Sequence, residues 1–191
     1  MSEIRKRIPR DTHITKKEII KNKGYYDIDG NWNSILTFDN YPGLLFRGRV
    51  EVFIFDHDNN VFLYKYNGRY RIPGGSYERN RSHKYQVYKE AKEEARIILG
   101  DIIYTNVSYF RLFDKKYEDQ PMHWDGTYSE VYIGYFKKWY NGSIKKSVRD
   151  YYMATHGRFY PFEYIYNILT VDHKKAFDKY LFNQCNIFNN R

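Results

Sequence analysis

Between Gly74 and Leu99 the chain reads GGSYERNRSHKYQVYKEAKEEARIIL, and no other stretch restricts what it can fold into as strongly. Pro73-Gly74-Gly75 closes the strand-like run RYRI in a turn whose two glycines reach backbone angles closed to other residues, so the main chain can pass close to a ligand or a helix end. Ser82 is an N-cap candidate. From His83 onward the residues are mostly good helix formers with no proline or glycine before Gly100, and the sequence predicts a helix over about residues 82–99.

At about 100° per residue this helix carries Val87, Tyr88, Ala91, Ala95 and Ile98 on one stripe, with Glu90, Glu93 and Glu94 on the flank beside it and Lys89, Lys92 and Arg96 opposite. Carboxylates at i, i+3 and i+4 repel one another unless a cation sits between them. Two readings follow. One is a solvated acidic face with Lys89 and Glu93 as an i,i+4 ion pair. In the other, a hard divalent cation such as Mg²⁺, which takes oxygen ligands and keeps waters and substrate phosphates in its shell, turns the repulsion into binding next to the glycine turn.

The stretch resembles the signature of the Nudix hydrolases, in which a glycine is followed after five residues by Glu, after seven more by Arg-Glu, and then by a hydrophobic, a spacer, Glu-Glu, a spacer, Gly and a hydrophobic. With the signature glycine at Gly75, Lys89-Glu90 falls at Arg-Glu, Ala91 at the hydrophobic, Glu93-Glu94 at Glu-Glu and Ile97 at the last hydrophobic. The resemblance implies an α/β architecture, a mixed β-sheet sandwiched between α-helices. It also implies a Mg²⁺- or Mn²⁺-dependent pyrophosphohydrolase acting on a nucleoside diphosphate linked to another moiety. Glu94 and Glu90 would be the principal metal ligands and Glu93 the next, Lys89 would orient a carboxylate, and Gly74 and Gly75 would meet the substrate through their backbone.

Three positions depart from the signature. Arg81 replaces the first glutamate, placing a positive charge where a metal ligand or helper belongs; it becomes a candidate phosphate contact, and Glu78 a candidate replacement ligand. Lys89 keeps the charge of arginine without its planar fork. Arg96 replaces the glycine that ends the helix, and Gly100 is read as ending a helix one turn longer. Arg81 motivates one alternative, a Nudix-fold ligand-binding or regulatory protein without turnover, and the basic charge and aromatics motivate another, an enzyme acting on RNA 5′ ends.

The 191 residues suffice for one domain with a real core, read as an N-terminal extension over 1–45 and a Nudix domain over 46–191, with a homodimer as a further expectation. A net charge of +9 favours polyanionic ligands, and no apolar run suggests a membrane span. The 22 tyrosines are either stacking surfaces or a compositional habit shared with Asn, Lys and Ile. With Cys185 alone, no internal disulfide forms. The charged start MSEIRKRIPRD is unlike a signal peptide, and the expected location is the cytoplasm.

Along the chain, residues 1–12 read as a loose basic segment, Thr15 to Glu18 as a capping box opening a short helix, and Ser34 to Phe38 as a short strand. RGRVEVFIF and VFLYKY form a hairpin around DHDNN, with Val50, Val52, Ile54, Phe62 and Tyr64 or their alternates facing the core, and His57 exposed. Ile102 to Phe113 reads as a strand interrupted at Thr105-Asn106, residues 114–127 as a loop, and SEVYIGYF as a strand. A general base or extra ligand is sought among Glu118, His123, Asp125 and Glu130, of which Glu130 is preferred because a strand holds it. A short helix follows Pro161, and a last helix capped by Asp172 carries Ala176, Phe177, Tyr180 and Leu181 on its apolar stripe.

Overall fold

The computed structural model describes residues 24–26, 32–66, 68–112, 125–143 and 156–179, with side chains described from residue 35 onward. The basic segment 1–12, the capping-box helix, Glu118, His123, residues 144–150, Tyr180, Leu181 and Cys185 lie outside the described residues. The chain divides into two compact units, Met1–Arg49 with Ser76–Arg81 and Phe110–Tyr128, and Val50–Gly75 with Ser82–Tyr109 and Ser129–Arg191.

In the first unit β1 (Gly24–Tyr26) pairs antiparallel with β2 (Trp32–Leu36), which pairs with the start of β3 (Phe46–Phe55) with Ile35 opposite Arg47. Its core is aromatic. Phe38, Tyr41, Phe46, Phe110 and Tyr128 meet edge-on or tilted, the Tyr41 and Phe110 centroids being 4.6 Å apart, so these rings are packing groups worth about 0.5–1.5 kcal/mol per pair beyond burial. Asp125 accepts from the Leu45 amide at 2.8 Å, which fixes this candidate base to backbone.

In the second unit β3 continues through the turn at Asn59, whose φ of 61° is tolerated by asparagine, into β4 (Val61–Tyr66). The Asp56 carboxylate closes the turn by accepting from the Asp58 and Asn60 amides at 3.0 and 2.8 Å. β4 carries two short strands on one side, β5 (Arg69–Arg71) and, from Arg158 to Tyr160, the last strand among the described residues. β6 (Gly74–Ser76) pairs with β3, β7 (Ile97–Leu112) with β8 (Gly126–Trp139), and β8 also with β3; the strand Arg158–Tyr160 is β9. Two helices have their full span among the described residues, α1 (His83–Ala95) and α2 (Phe162–Tyr166), and another, α3, is described over 171–179.

Both faces of the central strands are covered here. Phe53, Phe55, Val61, Leu63 and Ile72 form one core with Ile165 of α2 and Phe177 of α3. Val52, Ile54 and Phe62 are fully buried on the other face, where Tyr64 reaches α1 through Glu94. Strands covered on both sides lose their alternation, so the residues expected in the core and their alternates are both buried. The result is the mixed sheet with flanking helices expected from the sequence.

Four expectations need correction. Helix α1 stops at Ala95, because Arg96 takes the left-handed conformation (φ 56°, ψ 36°), its N–H bonds Ala91 and its carbonyl accepts from Tyr140 at 2.7 Å. Ile97 to Gly100 therefore belong to β7. Neither Gly74 nor Gly75 has a positive φ. β7 runs unbroken past Asn106 (φ 57°), where Thr105 Oγ1 donates to the Val131 carbonyl at 2.8 Å and accepts from the Val107 amide at 3.1 Å. Helix α3 is capped by Thr170, not Asp172: the His173 amide donates to Thr170 Oγ1 at 3.3 Å and the Lys174 amide to its carbonyl at 2.9 Å. Among the described residues no helix is long and apolar enough to cross a membrane.

Candidate active site

Ser82 starts α1 as its sequence suggests, its extended backbone (φ −73°, ψ 151°) directing Oγ to accept from the Tyr85 amide at 3.1 Å. From that start the residues at 83, 87, 90 and 94 recur along one stripe. The stripe that packs inward is Gln86, Val87, Glu90, Ala91, Glu94 and Ala95, so two of the three carboxylates lie on the buried face instead of beside it. Glu90 is 7% and Glu94 5% exposed; Glu93 stays at the rim.

Buried carboxylates require partners, and the glycine turn supplies them. The Gly74 amide donates to Glu94 Oε2 at 2.8 Å, and the Tyr64 hydroxyl donates to the same oxygen at 3.4 Å. A Cβ on Gly75 would collide with the Glu90 carboxylate, while one on Gly74 would stand 2.6 Å from the Val50 carbonyl. Close approach is what the paired glycines provide: one seats on β3, the other leaves room for a carboxylate against the main chain. Glu90 also accepts from Gln86 Nε2, leaving the Gln86 Oε1 buried with no partner among the described residues. Lys89 bridges Glu93 at 2.9 Å and Glu90 at 3.6 Å, so it belongs to the carboxylate side and not to the opposite face.

A second cluster went unnoticed in the sequence. Glu51 of β3 accepts from the Tyr109 hydroxyl, lies 2.8 Å from His173 Nε2 and accepts from Ser129 Oγ at 3.5 Å. Its stem packs against the Gly74 position, where an added Cβ would be 2.8 Å from Glu51 Cγ. The sequence signal was a lone glutamate between the buried Val50 and Val52; its partners come from β7, β8 and α3 and have no local spacing.

Glu130 lies inside β8 as preferred, its carboxylate 2.7 Å from His83 Nδ1 and accepting from the Tyr132 hydroxyl at 3.2 Å. Glu78 and Arg81 belong to the other unit, where the Arg81 amide donates to the Glu78 carbonyl at 3.4 Å and Arg81 is exposed.

No protein-family model matches the chain, and no curated protein matches it in sequence. Its three-dimensional likenesses are extensive. The E. coli dihydroneopterin triphosphate pyrophosphohydrolase superposes with a TM-score of 0.53 at 12% identity over 71% of this chain and 95% of that one. The NUDIX domain of Shewanella oneidensis NrtR, complexed with ADP ribose, gives 0.52 at 14% identity over 90% and 99%. The Bacillus subtilis pyrophosphohydrolase BsRppH gives 0.51 at 16% identity over 84% and 96%. The chain has the Nudix fold.

Within this Nudix fold the oxygen donors suit a hard divalent cation: two carboxylates on one buried stripe, each against the backbone of the glycine turn. Among the described residues no three His, Cys, Asp or Glu side chains converge closely enough to hold a metal between them. Mg²⁺ is commonly bound by one or two carboxylates, its shell completed by waters and substrate phosphate. Glu90 and Glu94 fit that pattern, with Glu93 as a further oxygen donor once released from Lys89.

Proposed function

We propose that this protein is a divalent-metal-dependent pyrophosphohydrolase that cleaves a nucleoside diphosphate linked to another moiety, such as a nucleotide sugar or ADP-ribose. The observation that carries this reading is the seating of Glu90 and Glu94, buried and adjacent, on the backbone of Gly74 and Gly75. Two proteins with this fold, from E. coli and Bacillus subtilis, are pyrophosphohydrolases, which agrees with this reading.

Mg²⁺ or Mn²⁺ held by Glu94, Glu90 and Glu93 would neutralise the diphosphate and lower the pKa of a water for attack on phosphorus. The protein's own groups do the rest. Lys89 orients Glu90 through the contact it makes now. Gly74 fixes the rotamer of Glu94. Glu130, steadied by His83 and Tyr132, would serve as the general base. Preorganised charge of this kind acts electrostatically and by position.

A second reading, ligand binding without turnover, draws support from Lys89, which already supplies the carboxylates with a cation, and from Arg81 at the position of the first glutamate. The two separate in one experiment: nucleotide or phosphate release from nucleotide sugars, dinucleoside polyphosphates, ADP-ribose, nucleoside triphosphates and capped RNA, with Mg²⁺, Mn²⁺ or chelator. Metal-dependent turnover of one class supports the enzyme. ADP-ribose binding with no turnover of any substrate supports the alternative.

A further inference from the structure

β5 and β9 line the same side of β4, and their registers place Lys65 opposite Tyr70, Leu63 opposite Arg158 and Val61 opposite Tyr160. Because alternate residues of a strand share a face, Val61, Leu63 and Lys65 stand on one face and carry Tyr70, Arg158 and Tyr160 with them. Val61 and Leu63 are sealed in the core. The sheet edge beyond them is made of rings and cations.

Tyr164 of α2 completes the group. It stacks on Tyr160 with centroids 5.6 Å apart and planes 14° from parallel, while Tyr70 meets the two edge-on at 83° and 88°. The Tyr70 and Tyr164 hydroxyls are 3.2 Å apart. Arg158 lies 5.0 Å from the Tyr160 centroid and its Nε donates to the Tyr160 hydroxyl at 2.9 Å; Lys65 Nζ is 5.6 Å from the Tyr70 centroid. The hydrogen bond to Tyr164 is the main reason the Tyr70 hydroxyl is pushed up to about 12, so Tyr70 stays protonated at neutral pH.

Core packing accounts for Tyr70 and Tyr160, which are half-buried against the core, but not for Tyr164. Helix α2 is anchored by Ile165, which is fully buried, whereas Tyr164 leaves 50% of its surface in solvent after one ring face has been covered by Tyr160. None of these residues contributes to the carboxylate site. A half-exposed ring, braced by two more rings and flanked by a guanidinium and an ammonium, matches a ligand that alternates planar bases with phosphates. The net charge of +9 complements a polyanion, although α2 itself contributes the carboxylate of Glu163.

We infer that the edge formed by Tyr70, Tyr160, Tyr164, Arg158 and Lys65 binds single-stranded nucleic acid, a base stacking on Tyr164 while Arg158 and Lys65 meet the neighbouring phosphates. This surface is independent of the hydrolytic reading and stands or falls separately from it.

The test is fluorescence anisotropy of a labelled ten-nucleotide oligouridine and oligoadenosine with the full chain. Tyr164→Ala weakens binding about tenfold while Tyr164→Phe, which keeps the ring, stays within about twofold. Arg158→Ala lowers the slope of log affinity against log salt by about 0.7, one phosphate contact. Glu94→Gln binds as the wild type does. The inference is overturned if Tyr164→Ala, shown folded by its melting temperature, binds unchanged, or if the wild type fails to bind at low salt. It is equally overturned if an oligoglutamate of the same charge competes as well as the oligonucleotide, or if Glu94→Gln abolishes binding, which would put the nucleic acid in the carboxylate site.

Discussion

Two clusters of the second unit bury carboxylates within one glycine of each other, and they are satisfied in opposite ways. Glu51 is enclosed by side chains that bring their own donors, His173, Tyr109 and Ser129. Glu94 rests on the Gly74 amide and the Tyr64 hydroxyl and Glu90 on the Gln86 side-chain amide, with Lys89 at the rim of the same helix. A carboxylate closed off by hydrogen bonds from three directions has little capacity left for a ligand, so the Glu51 cluster ties β3, β7, β8 and α3 together. Carboxylates placed side by side on one helix stripe against a glycine turn have the arrangement that a shared cation requires. Burial alone does not mark a catalytic acid; what satisfies it does.

The largest effect that would separate the clusters is on rate. Glu94→Gln keeps the hydrogen bond from Gly74 and removes the charge, so turnover with Mg²⁺ is expected to fall at least about 100-fold while the melting temperature moves by only a few degrees. Glu51→Ala should do the reverse. It strands the His173 and Tyr109 donors and should cost about 2–3 kcal/mol in urea unfolding, with turnover of the folded fraction within about threefold of the wild type. A turnover loss as large as that of Glu94→Gln would mean the two clusters are one site.

Gly75→Ala tests the cradle more finely. The new methyl group displaces the Glu90 carboxylate, and a displacement of that kind should lower turnover about tenfold with a weaker response to Mg²⁺. An unchanged Mg²⁺ titration would remove Glu90 from the site. The smallest effect concerns the end of the helix. Arg96→Gly relieves a left-handed side-chained residue and should stabilise the fold by about 0.5–1 kcal/mol, offset in part by the loss of the Arg96 bonds to the Tyr140 and Gly142 carbonyls, with no change in rate.

These same residues show what the sequence can reveal. The helix start was legible because Ser82 and the residues after it act locally, and the carboxylate pair was legible because i,i+4 spacing survives into three dimensions. The helix end was not. Arg96 is an ordinary helix former, and only the tertiary bond between its carbonyl and Tyr140 fixes where α1 yields to β7. The glycines were recognised as a site of close approach, but their backbone angles are ordinary and the reason is lateral space. His173 was invisible because its partner lies 122 residues away, and Thr170 prevailed over Asp172 as a cap because both are good capping residues and local chemistry does not choose between them.

The most direct test of the central claim is a release assay on the substrate panel, run with the wild type and Glu94→Gln side by side, in Mg²⁺ and in chelator. Turnover of one nucleoside diphosphate class that disappears both with chelator and with Glu94→Gln is the predicted result. Turnover that persists in either condition, or no turnover of any substrate by folded wild-type protein, would contradict a metal-assisted hydrolytic site on α1.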